Sequence, residues 1–144
     1  MKIPPPLEAE FSELLRRTLI QIKVIRNENN GDRIDFHCSD GAVYTMFHYT
    51  ESEEQVTIDD ISGDLDVLIG SPITFVSISS SIEQGPKKTN DESFTWTFYK
   101  LATINGFVDF RWYGESNGYY SESVDFQQNM FLTAKFQIKE EKKT

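Results

Sequence analysis

The segment from Ser93 to Phe126 constrains the fold most, because it holds both tryptophans, four of the six tyrosines and a regular alternation of aromatic and polar residues. A period of two is typical of a strand with one buried face. Asn105-Gly106 interrupts the alternation and predicts a two-residue hairpin turn. We therefore predict a hairpin whose core face carries Phe94, Trp96, Phe98, Val108, Phe110 and Trp112, with Tyr99 and Arg111 on the opposite face.

The N-terminal residues 1–17 have the pattern of a helical extension. From Leu7 onward, apolar residues recur at i, i+4, i+7 and i+8, which is the spacing of one helix face. Acidic residues come early and Arg16 and Arg17 come late, which suits the helix dipole. We predict an amphipathic helix from Leu7 to Arg17.

Residues 18–138 predict a single antiparallel sheet domain, followed by a solvated tail at 139–144. Eight or nine short alternating segments are separated by turn residues such as Asp40-Gly41, and the last predicted strand covers 131–138. One helical turn is predicted near Leu65, between Ser62-Gly63-Asp64 and Gly70. The expected fold class is α+β: a mostly antiparallel, barrel-like or strongly curved sheet with an N-terminal helix and one helical turn.

The charge balance limits the classes of partner. The chain has 23 acidic and 14 basic residues and a net charge of -9, which argues against direct binding to a nucleic-acid backbone. It has one cysteine, no basic-then-apolar leader and no long apolar run. We therefore expect no membrane association and a cytosolic location.

A candidate ligand-binding site covers the strand and loop from Arg111 to Tyr120. Glycine and asparagine in this loop permit a backbone cradle for an anion, and tyrosines can stack on a ring. Turn chemistry and a cross-strand ion pair of Arg111 explain the same residues without a ligand. The candidate ligand-binding residues are Tyr99, Arg111, Tyr113, Glu115, Ser116, Asn117, Tyr119 and Tyr120.

Catalytic and metal sites have no comparable signal. His37 and His48 flank the Asp40-Gly41 turn, but their spacing matches no metal-ligand motif. Cys38 lies in the middle of an alternating strand, as a small buried apolar residue does. We predict no catalytic residues, no metal ligands and no cofactor.

Four strings in residues 31–126 carry a family resemblance. They are DGAVYTMFH from Asp40, ISGDLDVLIGSPI from Ile61, TWTFYK from Thr95 and RWYGESNGYYS from Arg111. With them the chain resembles a family of small uncharacterised proteins of bacteriophages, prophages and their bacterial hosts.

The resemblance implies a non-catalytic accessory protein that binds a host or phage protein, with anti-defence activity as one such role. The first alternative is a protein that sequesters a small signalling nucleotide through residues 111–120. The second alternative is an enzyme that processes nucleotides or nucleic acids. A homo-oligomer is compatible with all three hypotheses, because the aromatic content, 13%, is large for one small core.

Overall fold

The computed structural model describes residues 7–27, 31–83, 86–88, 92–130 and 132. Among these residues lie nine strands and two 3-10 helices, Phe11–Leu14 and Leu65–Leu68. The strands are β1 (Leu7–Glu8), β2 (Leu19–Ile25), β3 (Arg33–Cys38), β4 (Val43–Phe47), β5 (Gln55–Ser62), β6 (Phe75–Ile82), β7 (Ser93–Thr103), β8 (Gly106–Ser116) and β9 (Asp125–Gln128).

The strands form two antiparallel sheets and no closed barrel within the described residues. One sheet has the order β1-β9-β4-β3-β2, and the other has the order β5-β8-β7-β6. β2, β3 and β4 pair consecutively as an antiparallel meander. The expected antiparallel architecture is therefore correct, whereas the barrel-like single sheet is replaced by two sheets.

The main core lies between the inner faces of the two sheets. Phe36 of β3 contacts Phe110 of β8 edge to face, with ring centroids 5.8 Å apart. The indole N–H of Trp112 on β8 donates to Met46 Sδ on β4 at 3.0 Å. All four side chains are almost completely buried, so the sheets are joined by apolar packing of the kind that dominates folding energetics.

A polar clamp at the end of β2 also joins the sheets. The Arg26 guanidinium donates to the carbonyl of Ile58 on β5 at 2.9 Å. Asp32 accepts a hydrogen bond from the backbone N–H of the same residue at 2.9 Å. Both backbone groups of Ile58 therefore have partners beside the β2–β3 connection.

The faces of the β7–β8 hairpin differ from the prediction. Thr103 pairs with Gly106, so the two-residue turn is Ile104-Asn105, and Tyr99 pairs with Phe110. A two-residue loop pairs odd-numbered with even-numbered residues, so Val108, Phe110 and Trp112 share the inner face with the odd-numbered residues of β7. The prediction was right for these three residues and wrong for Phe94, Trp96 and Phe98, which lie on the outer face, and for Tyr99, which lies on the inner face.

The predicted N-terminal helix is wrong. β1 instead pairs with β9, and only Phe11–Leu14 forms a 3-10 turn. In a 3-10 turn, residues three apart share a face, and Phe11 and Leu14 are the two that are buried. Arg16 N–H donates to the carbonyl of Ile73 at 2.8 Å, so the chain continues into sheet-like pairing instead of a longer helix.

The predicted helical turn near Leu65 is confirmed as the second 3-10 helix. The Asp64 side chain caps its start by accepting from the N–H of Asp66 at 2.9 Å. Gly70, just beyond its end, has a φ of 86°, a conformation that favours glycine. The sequence thus identified both ends of this element.

The C-terminal part departs from the predicted edge strand. β9 ends at Gln128, Met130 and Leu132 are helical, and the Asn129 side chain accepts from the N–H of Leu132 at 3.1 Å. Phe131, residues 133–138, the tail at 139–144 and residues 1–6 lie outside the described residues. Where the structure describes a helix, its length and hydropathy fall short of what a membrane crossing requires.

The face assignment of β7 predicts that two adjacent aromatic residues contribute very different amounts to stability. Tyr99 is 5% exposed in the main core, whereas Phe98 is 38% exposed on the outer face. We expect Tyr99→Ala to lower the free energy of unfolding by about 3 kcal/mol or more, and Phe98→Ala by about 1 kcal/mol or less. Urea unfolding measures both, and the reverse order would contradict the register.

Candidate functional site

A cluster of three aromatic residues covers the outer face of the four-stranded sheet. Trp96 of β7 pairs directly with Tyr113 of β8, and their ring centroids are 4.6 Å apart. Phe94 stacks on Tyr113 at 6.2 Å. All three are buried, although they belong to no part of the main core. This second cluster gives the outer face a rigid aromatic platform.

An ion-pair network lies beside the platform. The register between β5 and β8 shifts between Ile58 and Asp60, as at a β-bulge, and this places Asp59 next to Arg111. Arg111 Nε and Nη2 each lie 2.7 Å from Asp59 Oδ2. The Lys88 ammonium contacts the other oxygen of the same carboxylate. One nearly buried carboxylate is thus shared by two half-exposed cations.

The two cations determine the ionisation of Asp59. Burial alone opposes ionisation, but the hydrogen bonds and charges of Lys88 and Arg111 outweigh burial and lower the pKa of this carboxyl. The carboxylate therefore stays negative and anchors both cations.

Both cations also lie over aromatic rings. Arg111 Cζ is 5.6 Å from the centroid of Trp96, and Lys88 Nζ is 5.6 Å from the same ring. The residues around Lys88 are tied to the platform, because the Trp96 indole donates to the Pro86 carbonyl at 2.9 Å. Tyr113 Oη accepts from the Lys88 N–H at 3.1 Å. Cation–π contacts hold the Arg111 and Lys88 side chains over Trp96, and the hydrogen bonds of Pro86 and Lys88 hold the Lys88 backbone against the platform.

This arrangement borders an open cavity of about 770 Å³. That volume is in the range of small-molecule sites and of pockets that receive one side chain or short peptide segment. Aromatic and apolar groups share the lining with four charged groups. The lining residues are Asp59, Asp60, Ser81, Pro86, Lys88, Trp96, Phe98 and Arg111.

The predicted ligand-binding residues are divided among three places. Arg111 lines the cavity, and Tyr113 belongs to the aromatic platform under it. Glu115 is on the same strand face, paired with Phe94. Tyr99 is in the main core, where its ring lies 4.8 Å from Phe11, so the prediction that it shares a face with Arg111 is wrong.

The loop from Ser116 to Tyr120 is not part of the cavity lining. Two of the backbone N–H groups considered for an anion cradle already have acceptors within the loop. Gly118 N–H donates to Ser116 Oγ at 3.0 Å, and Tyr119 N–H donates to Asn117 Oδ1 at 3.1 Å. Tyr119 is exposed and Tyr120 half-buried. Hydrogen bonds within the turn therefore account for Ser116 and Asn117 without a ligand.

Gly114 and Gly118 are required for different physical reasons. Gly118 has a φ of 93°, which favours glycine. Gly114 is required for close packing, because a Cβ there would lie 2.7 Å from the carbonyl oxygen of Glu122. The Glu122 carboxylate in turn accepts hydrogen bonds from Thr95 at 2.7 Å and from Ser116.

Sequence reasoning missed most of the cavity. Asp59 and Lys88 lie in separate charged segments and belong to no recognisable motif. Trp96 and Phe98 were predicted to lie in the core. Only the bulge in β5 and the hydrogen bonds of residues 86–88 bring the two charges together. The one usable signal in the sequence is that a two-residue turn pairs odd-numbered residues of β7 with even-numbered residues of β8.

His48 lies in a different polar cluster, away from the cavity. Its Nδ1 lies 2.7 Å from the Ser123 carbonyl and its Nε2 lies 3.1 Å from Glu54. Both ring nitrogens therefore lie within hydrogen-bond distance of a carbonyl or carboxylate oxygen, and the Glu54 side chain is fully buried. Burial raises the pKa of the Cys38 thiol to about 11. Among the described residues, no group of three or more His, Cys, Asp or Glu side chains is arranged to hold a metal ion.

The chain belongs to the family described as Domain of unknown function (DUF7448), whose profile matches residues 12–126. This region contains the whole segment on which the resemblance to an uncharacterised family rests. No curated protein and no solved structure matches the chain. The family description assigns no activity, so the residues of the site carry the functional argument.

Because the pKa of the Glu54 carboxyl is lowered in the folded protein, we expect the free energy of unfolding to decrease in acid. Burial opposes its ionisation, but the N–H groups of Glu51 and Ser52 and the His48 ring hydrogen-bond to it and lower its pKa from 4.5 to about 2. Because the folded-state pKa is the lower one, this stabilisation is complete above about pH 4.5 and is lost as the pH falls towards 2.

We expect urea unfolding at a series of pH values to show this loss in the wild-type protein and a flatter profile in Glu54→Gln, which is also less stable at neutral pH. Glu53→Gln changes a neighbouring exposed carboxylate and serves as the matched control, with a profile like that of the wild type. Equal slopes for Glu54→Gln and the wild type would contradict the assignment.

Proposed function

We propose that the protein is a non-catalytic accessory binding protein of phage or prophage origin, which acts on a host factor by direct contact. Host defence is the class of process in which such a contact is of use to a phage. The outer-face cavity around Arg111 is its binding site. The proposal rests on one observation: two half-exposed cations, Lys88 and Arg111, lie over Trp96 in the lining of the cavity.

The composition of the cavity supports a binding role. Tryptophan, tyrosine and arginine are the residues most enriched among those that dominate the binding energy of protein interfaces. Here Arg111 and the platform are preorganised by Asp59 and Tyr113, so little side-chain freedom is lost on binding. Asp59 stays ionised between two cations, which suits charge positioning and not proton transfer.

The chemistry of the cavity favours a partner segment that carries an apolar or aromatic side chain next to a carboxylate. The apolar side chain packs against Trp96 and Phe98, and the carboxylate contacts Arg111 and Lys88. Within the described residues, Asp59 binds Nε and Nη2 of the guanidinium, so Nη1 can donate to a second anion. A host protein with an acidic–aromatic segment on its surface fits these requirements.

A small signalling nucleotide is the second candidate. The cavity volume of about 770 Å³ suits a ligand of this size, and a base can stack on an aromatic wall while a phosphate contacts the same two cations. The nucleotide and the protein segment share one chemistry, a ring with a nearby anion. Isothermal titration calorimetry against cyclic dinucleotides and adenosine phosphates separates them.

A photo-crosslinking amino acid placed at Phe98 tests the main proposal in the host cell. Phe107 is the matched control, because it is also exposed on the outer face but does not line the cavity. We expect a covalent adduct with one host protein at position 98 and none at position 107. Equal adducts at both positions, or none at either, would contradict the proposed site.

The affinity for that partner should depend on Arg111. We expect Arg111→Ala to raise the Kd about 30-fold or more, as truncation of a central interface arginine does. Lys100→Ala is the control, since Lys100 forms a 3.6 Å ion pair with Asp109 on the same face but lies outside the cavity. An equal loss in both variants would indicate general electrostatics and would refute the site.

A further inference from the structure

The four edges of the two sheets are not equally protected against pairing with another strand. β1 has only two residues, and β2 carries a register shift and a lysine. β5 carries a register shift and two aspartates. Short length, bulges and charges are the features with which proteins block edge pairing. β6 has none of them: its eight residues, FVSISSSI, include no charge and no proline, and its register with β7 is unbroken.

Backbone geometry shows which groups of β6 face the open edge. Glu83 N–H donates to the Phe94 carbonyl at 2.9 Å, continuing the register of β6 with β7. Hydrogen-bonded pairs alternate along an antiparallel ladder, so the odd-numbered residues of β6 bond to β7. The N–H and C=O groups of Val76, Ile78, Ser80 and Ile82 point away from β7. No hydrogen bond to these groups from elsewhere in the described chain is found beyond the sheet ladders.

The side chains of this edge are open as well. Ile78 is 51% exposed and Ile82 is 68% exposed, which is unusual for two isoleucines on one strand. Both lie on the inward-pointing side of β6, beyond the reach of the opposite sheet. A row of free backbone groups next to exposed apolar side chains is a template for strand addition.

We propose that β6 pairs antiparallel with β6 of a second copy of this chain, across a two-fold axis at Ser79. This register pairs Val76 with Ile82 of the second copy and Ile78 with its Ser80. It satisfies every outward-facing N–H and C=O group of the four residues in both copies. The two four-stranded sheets become one continuous sheet, and Val76 and Ile82 cover each other on its inner side.

A second copy is the occupant that fits, because the outward-facing groups of β6 complement those of the same strand across a two-fold axis, and charge determines where two copies can meet. Each chain carries a net charge of -9, so two copies repel wherever their acidic surfaces meet. β6 contains no carboxylate, so two copies can pair along this strand without bringing acidic side chains of the strand together. The adjacent Glu83 lies opposite Phe75 of the second copy, so the two glutamates lie at opposite ends of the interface. The contact is also self-complementary, as a two-fold interface requires.

Light scattering and sedimentation equilibrium on the full chain test the dimer. We expect twice the mass of one chain for the wild type. Ser80→Pro removes an outward N–H without touching the ladder to β7, and is expected to raise the dimer dissociation constant at least tenfold. Ile78→Lys is a second variant that blocks the edge by charge, in case the proline variant unfolds. A monomeric wild type, or unchanged dimers in both variants, would overturn the proposal.

Single cysteines test the register. In a non-hydrogen-bonded antiparallel pair the Cα atoms lie about 4.5 Å apart, so Ser79→Cys is expected to form an intermolecular disulfide on mild oxidation. Ser77→Cys is the matched control, since its partner is Ser81 of the second copy and two cysteines at 77 are too far apart. The native Cys38 is buried and does not compete. Cross-linking at 77 but not at 79, or equally at both, would overturn this pairing.

Discussion

The pairing of β7 with β8 is the interaction on which the rest of this structure depends. Eleven residue pairs run without a shift from Thr103–Gly106 to Ser93–Ser116. β5 adds to one side of the hairpin and β6 to the other, so the hairpin is the centre of its sheet. Because side chains alternate between faces, one register decides two things at once. The inner face completes the main core with the five-stranded sheet, and the outer face builds the aromatic platform of the cavity.

The outer face combines a small apolar cluster with a charge arrangement that is unusual for an acidic protein. A single aspartate is shared by a lysine and an arginine that come from different parts of the chain. The pairing offsets the cost of removing this carboxylate from water. Asp60 also lines the cavity, 4.0 Å from Arg111 Nη2, so two cations and two carboxylates balance there. The cavity is therefore locally neutral on a chain of net charge -9, and it repels an anionic group less than the acidic parts of the surface do.

The sequence was sufficient for the elements that local chemistry determines. Alternation located β2 to β8, and the cap at Asp64 with Gly70 located the helical turn near Leu65. The N-terminal helix failed because β-pairing of Leu7 and Glu8 with β9 is a long-range contact that no local pattern reveals. The face of Tyr99 was predicted wrongly, because alternation within β7 alone does not show that a two-residue turn pairs its odd-numbered residues with Val108, Phe110 and Trp112. Arg111 is the one predicted ligand-binding residue that lines the cavity, but its partners Asp59 and Lys88 depend on a bulge and on loop contacts, both of which are tertiary effects.

The two tryptophans lie on opposite faces of the same sheet, and this separation gives the protein two independent optical reporters. Trp112 is buried in the main core beside Met46, whereas Trp96 lies under two cations in the cavity wall. Their indole rings therefore experience different local electric fields and different quenching groups. Replacing one by phenylalanine leaves a fluorescence signal that reports on the core alone or on the cavity alone. Folding and ligand occupancy can be followed separately in this way without any attached dye.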